Sequence, residues 1–551
     1  MRYLVKKQAP DILGMAARYF HTTRHLKPGQ ILGRLLAQSK KKVGLPALPE
    51  PPDKLEGTLK STVPFVHHDP WNSGKELREG RFRFLNYDAH LGWPANWKAP
   101  GLPLLWQFNL HYFDYLHLLS REEQLEISSD WVRANRLGNT VGWHPYPTSL
   151  RVVNWCKLRL DTPELLRSIY QQASHLYRNI EFHQPGNHLL ENAKALIFAG
   201  GYFEGQGEAY RWLRRGLRIF QRETPVQVLK DGGYFECSPM YHAIMLKGYL
   251  DIINVLPQEH PDLPLLRESA KQMTDFLVSV THPDGHIALF NDSTHEIAVS
   301  TRSLAQYAQD LLHHQARKLY SFYETGYFIH ENPSIYLIID GGAIGPDFLP
   351  AHGHADIFSF ELSFQERPFI VDSGVYEYKQ GQMRRYARST RAHNTVTIDR
   401  ADQAECWGSF RVARRFDPKD VSFTRDRHGS RFAGRFDGYG KLIGDRIVHR
   451  RSIRCTDARR QIQVEDSITG KGKHLVESML HLHPAASVER EGNSIKLRNG
   501  QVECLITVER GEVASEGGWY CPRFGVKQKN TVIAIRAETE LPVELSYTIT
   551  Y

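Results

Sequence analysis

Histidine, aromatic and amide side chains cluster in four stretches of the chain: WQFNLHYFDY (106 to 115), GWHPYPTSLRVVNW (142 to 155), QPGNHLLENA (184 to 193) and AHGHAD (351 to 356). This combination suits a sugar, because ring faces stack on pyranose faces while amides and imidazoles bond hydroxyls or carboxylates. His111, Tyr112, His144 and Tyr146 are therefore candidate sugar contacts, with ordinary helix packing as the rival reading. In the third stretch Gly186 precedes Asn187 and His188 at the expected start of a helix whose later residues, Leu189, Leu190, Ala193, Leu196 and Ile197, face a core. Amide and imidazole placed there could bond a carboxylate; a plain helix cap by Asn187 is the alternative.

The fourth stretch puts His352 and His354 two residues apart, on one side of an extended segment, with Asp356 following and with Asp372 and His393 further on. Two imidazoles and a carboxylate suit a zinc-type ligand set, although strand-end hydrogen bonds would satisfy the same groups. Tyr241 falls in the opening turn of a helix that Ser238 can cap and Pro239 can begin. The piece QMRRYARSTRAHN, with Arg384, Arg385, Arg388 and Arg391, offers positive charge for carboxylates or sulfates, or is a solvated basic loop. Trp407 in ECWGSF is a candidate subsite floor or a core residue.

These groups need two kinds of scaffold. From about residue 100 to 320 the apolar spacing is helical, as in Leu165, Leu166, Ile169, Ala173, Leu176, Tyr177 and Ile180, in Tyr210, Leu213, Leu217 and Phe220, and in Leu266, Ala270, Met273, Leu277 and Val280. After about 330 the period becomes two: Phe358, Phe360, Leu362 and Phe364 alternate with Ser359, Glu361 and Ser363, and Asn499-Gly500 joins two strand-like runs. The reading is an N-terminal extension with a Pro-rich connector, LPALPEPPD (1 to 60), a helical domain (61 to 330) and an antiparallel β-sandwich (331 to 551), divided at the Glu331-Asn332-Pro333 turn.

Lys and Arg outnumber Asp and Glu by 70 to 61, which favours an anionic partner. No dense basic helix or nucleic-acid motif accompanies that excess, so nucleic acid is not expected as a partner. The six cysteines form neither CxxC pairs nor a disulfide framework. No segment is apolar enough for a membrane span, and no signal peptide is evident, which reads as a soluble protein of a bacterial cytoplasm or periplasm. Oligomeric state is left open.

The ordered motifs GNHxxE, SPMYH, HGHAD, VDSG and RxHNTV, the first two in a helical half and the rest in a β half, resemble the heparinase II/III family of polysaccharide lyases, which includes heparinase II, heparinase III and the oligoalginate lyases. The resemblance implies an incomplete (α/α) toroid followed by an antiparallel β-sandwich, with the active site in the cleft between them. It implies Asn187 and His188 as the groups that neutralise a uronate carboxylate, Tyr241 and His352 as the catalytic pair, and Glu191 as a supporting acid. His354, Asp372 and His393 correspond to a structural Zn2+ site found in part of the family, with Ca2+ or no metal as alternatives and no organic cofactor. The implied reaction is β-elimination in a uronate-containing polysaccharide, whether glycosaminoglycan-like, alginate-like or a bacterial exopolysaccharide. The uronate C5 proton is weakly acidic, so its carboxylate must be neutralised while Tyr241 or His352 removes the proton and an acid protonates the leaving oxygen. A tyrosine base needs cationic neighbours to lower a reference pKa of about 10. Rival readings are an (α/α) glycoside hydrolase using Asp114 with Asp231 or Glu236, and a non-catalytic acidic-glycan-binding factor of polysaccharide assembly.

Overall fold

The computed structural model describes residues 12–43, 48–68, 71–138 and 140–551. The opening residues of the chain and residues 45–47 of the Pro-rich connector lie outside these; Leu48 to Pro52 run without regular structure. The N-terminal extension holds two helices, Ile12–Thr23 and Pro28–Val43.

The helical part runs from Leu104–Tyr112 to Thr301–Leu312. Local chemistry sets its helix starts. Ser120 and Glu123 form a reciprocal capping box, and Thr162 caps a helix with Pro163 at its first position. The predicted stripes face inward, and Leu165, Ile169, Ala173, Leu266, Ala270 and Met273 are buried. Each large side chain so covered contributes roughly 1.5–3 kcal/mol. Tyr210 departs from its stripe at 69% exposed, because it lies in the first turn of Ala209–Gln227, beyond the reach of the neighbouring helix. Phe113 stacks edge-on against Trp155 and Trp131, centroids 5.3 and 6.2 Å away, anchoring the first helices to one another. Pro145–Lys157 packs on Pro163–Arg178, and Asn187–Tyr202 on Ala209–Gln227, while alternate helices such as Pro145–Lys157 and Asn187–Tyr202 also touch, the pairing of an (α/α) toroid.

Among the described residues, three antiparallel sheets of five, four and eight strands and a two-stranded ribbon, Cys406–Trp407 with Arg411–Val412, follow the helical part, and a second ribbon, Arg81–Phe84 with Tyr87–His90, precedes it. The five-stranded meander begins at Ser321–Phe322 and Tyr327–Asn332. The β part therefore starts before the Glu331-Asn332-Pro333 turn, which is the tip of a hairpin pairing Asn332 with Ile335. The Asn499-Gly500 signal is met by a hairpin in which Asn499 pairs with Val502 and Gly500 takes φ +64°. In Phe360–Phe364 the alternation does not separate core from solvent, since every residue is buried. Phe360 and Leu362 belong to the sandwich core, while Glu361 and Ser363 on the other face bind His282 at the end of the helical part, at 2.7 and 2.9 Å. The five-stranded sheet is thus covered on both sides, and Phe276 and Val280 pack with Tyr327, Ile329, Tyr336 and Ile338 of that sheet in one cluster joining the two halves.

Deep in the sandwich Arg451 donates to both carboxylate oxygens of Asp466 (2.7 and 2.8 Å) and to the carbonyls of Phe358 and Asn394, while His449 shares Asp466 at 2.8 Å. Burial pushes the Asp466 carboxyl up, but Arg451 and His449 outweigh it and hold the group well below the carboxylate range. Arg451→Met leaves that carboxylate buried without its partner and is expected to cost about 3–5 kcal/mol at neutral pH. Because the depressed pKa stabilises the native protein above the unfolded carboxylate value of about 4, the gap between wild type and variant narrows on acidification; urea midpoints at two pH values measure both effects.

Candidate active site

Two helix starts and one loop build the site. Asn187 is the first residue of Asn187–Tyr202, and Gly186 occupies the cap position, so Asn187 is not the cap. Gly186 is required for a second reason: an added Cβ would lie 2.1 Å from Oε1 of Glu236. Tyr241 lies in the first turn of Pro239–Val255, where Ser238 caps and accepts from its amide at 3.2 Å.

The loop Asn291-Asp292-Ser293 ties these starts to His352. The Asn291 amide donates to the Cys237 carbonyl (2.9 Å), and its oxygen accepts from the His354 backbone (3.0 Å). Ser238 Oγ donates to the Asp292 carbonyl at 2.9 Å, and the Asp292 backbone donates to the His352 carbonyl at 3.0 Å. The buried Asp292 side chain accepts from His352 Nδ1 (2.9 Å), His354 Nε2 (2.9 Å) and both terminal nitrogens of Arg384. Burial alone would raise this carboxyl; Arg384 and the two imidazoles hold it well below the usual range. An ionised acceptor fixes the proton of His352 on Nδ1 and leaves Nε2 with its lone pair on the other side of the ring.

That side faces the helix starts. The ring of Tyr241 lies 4.0 Å from that of His352, and its hydroxyl is 3.2 Å from the Tyr378 hydroxyl. Glu236 Oε2, buried and without a hydrogen bond, lies 3.7 Å from His352 Nε2, while Oε1 lies 3.5 Å from the Asn187 backbone nitrogen. Burial raises the Glu236 carboxyl and Asp292 adds to this, against the lowering influence of His352, the Asn187 amide and His188. His188 bonds Glu181 at 3.2 Å and packs on Tyr146, centroids 4.2 Å apart, which meets Tyr112 edge-on at 5.9 Å. His144 lies beside these as the cap of Pro145–Lys157. Glu191 is paired with Lys194 at 2.7 Å, one helical turn along.

Four sequence expectations change here. His111 accepts from Trp131 Nε1 at 3.0 Å, and burial pushes its imidazole down to about 3, so it is a neutral core group. Arg388 is 2% exposed and its guanidinium is consumed by the carbonyls of Gly353, Ser409 and Arg411. Trp407 donates to Thr22 at 3.0 Å and is flanked by Tyr19 and Arg411, so the N-terminal extension covers it. Positive charge does not activate Tyr241 as a base either: burial, with Asp292 and Glu236, raises its phenol, and this outweighs Tyr378 and Arg384. Asp292 and Tyr378 were not singled out as site groups by the sequence, since a run such as FNDST has no spacing that marks it, and Arg384, read there as charge for a substrate, is instead spent on Asp292. Of the two hydrolase pairs, Asp114 with Asp231 is disfavoured, since Asp231 is spent on the amides of Gly233, Glu324 and Thr325.

Behind His352, the ligand atoms of His354, Asp356 and His393 lie within 4.8 Å of one another. His354 Nδ1, Asp356 Oδ2 and His393 Nε2 are buried without a hydrogen-bond partner, and the other nitrogen of each imidazole is held by a carboxylate, Asp292 for His354 and Asp372 for His393 at 2.7 Å. This donor set fits a zinc-type ion with its outer support. It places Asp356 among the facing atoms and Asp372 behind His393, a different arrangement from the expected trio.

The heparinase II/III N-terminus model matches residues 159–319 and the heparinase II/III-like C-terminal model residues 314–548. A heparin-sulfate lyase of Pedobacter heparinus is 29% identical over 314 residues, 49% of this chain and 47% of that protein. One from Bacteroides stercoris is 25% identical, over 58% of each. The chain spans about half the length of these curated relatives. Among solved structures, heparinase III superposes with TM-score 0.66 at 17% identity, covering 83% of this chain and 78% of that one. The heparan sulfate lyase of Pedobacter heparinus gives 0.59 at 18%, covering 95% and 88%. These likenesses show the fold, an incomplete (α/α) toroid followed by an antiparallel β-sandwich. With the two models meeting in order across residues 159–548, the chain belongs to the heparinase II/III family.

Proposed function

We propose that this protein is a polysaccharide lyase that cleaves a uronate-containing acidic glycan by β-elimination. The observation that carries the reading is the meeting of Tyr241 and His352, rings 4.0 Å apart, with Asn187 and His188 at an adjoining helix start. Asn187 and His188 bond the uronate carboxylate and stabilise the enolate that forms when the C5 proton leaves. His352 Nε2, freed by the Nδ1 bond to Asp292, takes that proton. Tyr241, kept a neutral phenol by burial, gives its proton to the departing glycosidic oxygen. The product carries a 4,5-unsaturated sugar at its new non-reducing end. Burial raises the Glu236 carboxyl and so favours its protonated form, which would be a donor beside Asn187 that sets less negative charge against the uronate. A heparan-type glycosaminoglycan heads the substrate choices, because the relatives are named as heparin-sulfate lyases.

The residues able to hold a metal are His354, Asp356 and His393. Two imidazoles with one carboxylate suit Zn2+ better than Ca2+, which prefers an all-oxygen shell. Bound there, the ion supplies structural cross-linking between the HGHAD loop and His393; the proton transfers stay with His352 and Tyr241.

Ultraviolet absorbance of a conjugated uronate, followed on heparan sulfate, heparin, alginate and other acidic glycans, is expected to rise with the wild type on at least one substrate. Tyr241→Phe and His352→Ala should each lower that rate by about 10²–10⁴-fold; new reducing ends without absorbance would instead mean hydrolysis. The neutral form of Glu236 is the useful one, so activity should fall as pH rises through its elevated pKa. Glu236→Gln should keep most of the rate and flatten this basic limb, and a loss as deep as that of Tyr241→Phe would rule the neutral role out. Elemental analysis of purified protein should find about one zinc per chain, and a chelator should lower the melting temperature; His393→Ala should contain none.

A further inference from the structure

The two N-terminal helices stand outside the catalytic argument, and their inner faces are occupied. Thr22 binds Trp407 and Val412, and Gln30 donates to the Phe348 carbonyl at 3.0 Å. Gly33 packs so closely on His183 that an added Cβ would lie 3.1 Å from its amide nitrogen. The pair therefore touches the loop that leads into Asn187 and the loops around His352 alike. The outer faces are apolar and open to water: Leu13 is 84% exposed, Phe20 63%, Leu32 59% and Leu35 57%, with Ile31 and Leu36 also exposed. Residues 31, 32, 35 and 36 form one stripe along their helix, and 13 and 20 recur two turns apart on theirs. Apolar side chains grouped in this way mark a surface that is covered by something.

Charge identifies the cover. The first 43 residues hold ten Lys and Arg, a single Asp and no Glu. Arg24 and Arg34 are exposed, and Lys40-Lys41-Lys42 follow the Leu35-Leu36 stripe in sequence. A second copy would bring the same positive charge against itself. An anionic bilayer surface offers the opposite charge at headgroup level and an apolar boundary just beneath, the two properties that an amphipathic cationic helix in the interface plane uses. We propose that the helix pair Ile12–Thr23 and Pro28–Val43 docks the protein on anionic phospholipid membranes, lying in the interface without crossing it. Because the inner faces of the helices touch the loops that lead into Asn187 and His352, docking sets the candidate site near the membrane surface. This inference does not depend on the lyase reading.

Co-sedimentation of the full chain with vesicles of equal parts phosphatidylcholine and phosphatidylglycerol, and with pure phosphatidylcholine vesicles, is the test. Binding to the mixed vesicles, at least about tenfold weaker on pure phosphatidylcholine and weakened by high salt, is expected. Leu32→Glu/Leu35→Glu should reduce it by at least about tenfold with an unchanged melting temperature, since both positions face water in the free protein. Absence of vesicle binding, equal binding to both vesicle types, or binding indifferent to the double substitution would overturn the proposal. So would a concentration-dependent dimer, seen by light scattering, that the double substitution dissolves while vesicles capture neither protein; the cover would then be a second copy.

Discussion

One buried carboxylate organises the candidate site of this molecule. Asp292 takes hydrogen bonds from His352, His354 and Arg384, and the backbone and neighbours of its loop hold the Ser238 cap. An isolated ionised carboxylate in a protein interior is costly, and a paired one survives only where donors fill its lone pairs. Here two of the donors, His352 and His354, are also candidate site groups. The bond that satisfies Asp292 fixes which nitrogen of His352 carries the proton, and the same carboxylate orients an imidazole of the metal-type cluster. Proton-transfer geometry and the cluster are consequently one electrostatic unit, in which a change at Asp292 is felt by both.

Burial then divides the labour between tyrosine and histidine. A phenol surrounded by His352, Tyr378, Glu236 and Asp292 is harder to ionise than one in water, and this favours proton donation over abstraction. The Asp292 carboxylate that helps raise Tyr241 also orients His352, so under the proposed reading one environment suits Tyr241 to the acid role and His352 to the base role. Gly186 shows how tightly this is built, because its missing side chain is the space the Glu236 carboxylate occupies.

Much of this was legible in the sequence because it is written in patterns. Ser238-Pro239 marks a helix start, Asn499-Gly500 a hairpin, and the change of hydrophobic period the passage from helices to sheets. Asp292 and Tyr378 were not legible, since each acts as a single residue brought in from a distant part of the chain with no spacing to announce it. Glu236 was visible as an acid, but its partners were not. The misplaced candidates share one cause: His111, Arg388 and Trp407 have the residue types of a sugar site, and burial against Trp131, backbone carbonyls and the N-terminal extension decides their use. The period-two stretch Phe360–Phe364 is a strand as read, and only the partner of its polar face was not legible. Alternation reports two chemically different faces, and here the polar face meets His282 instead of water.

That second buried face matters for how the cleft works. The proposed pair, Tyr241 from a helix start and His352 from a loop of the β part, must keep its separation, and proximity is only useful if the two halves do not drift. Glu361 binds His282 on one side and the amides of Leu289 and Asp372 on the other, so the strand between Asp356 and Asp372 is bolted to the segment that leads into Asn291 and Asp292. The apolar cluster of Phe276, Val280, Tyr327 and Tyr336 closes the same joint over a wider area. The candidate site therefore rests on an interface that is already packed, in which the segment leading into Asn291 and Asp292 and the sheet carrying Glu361 hold each other in place.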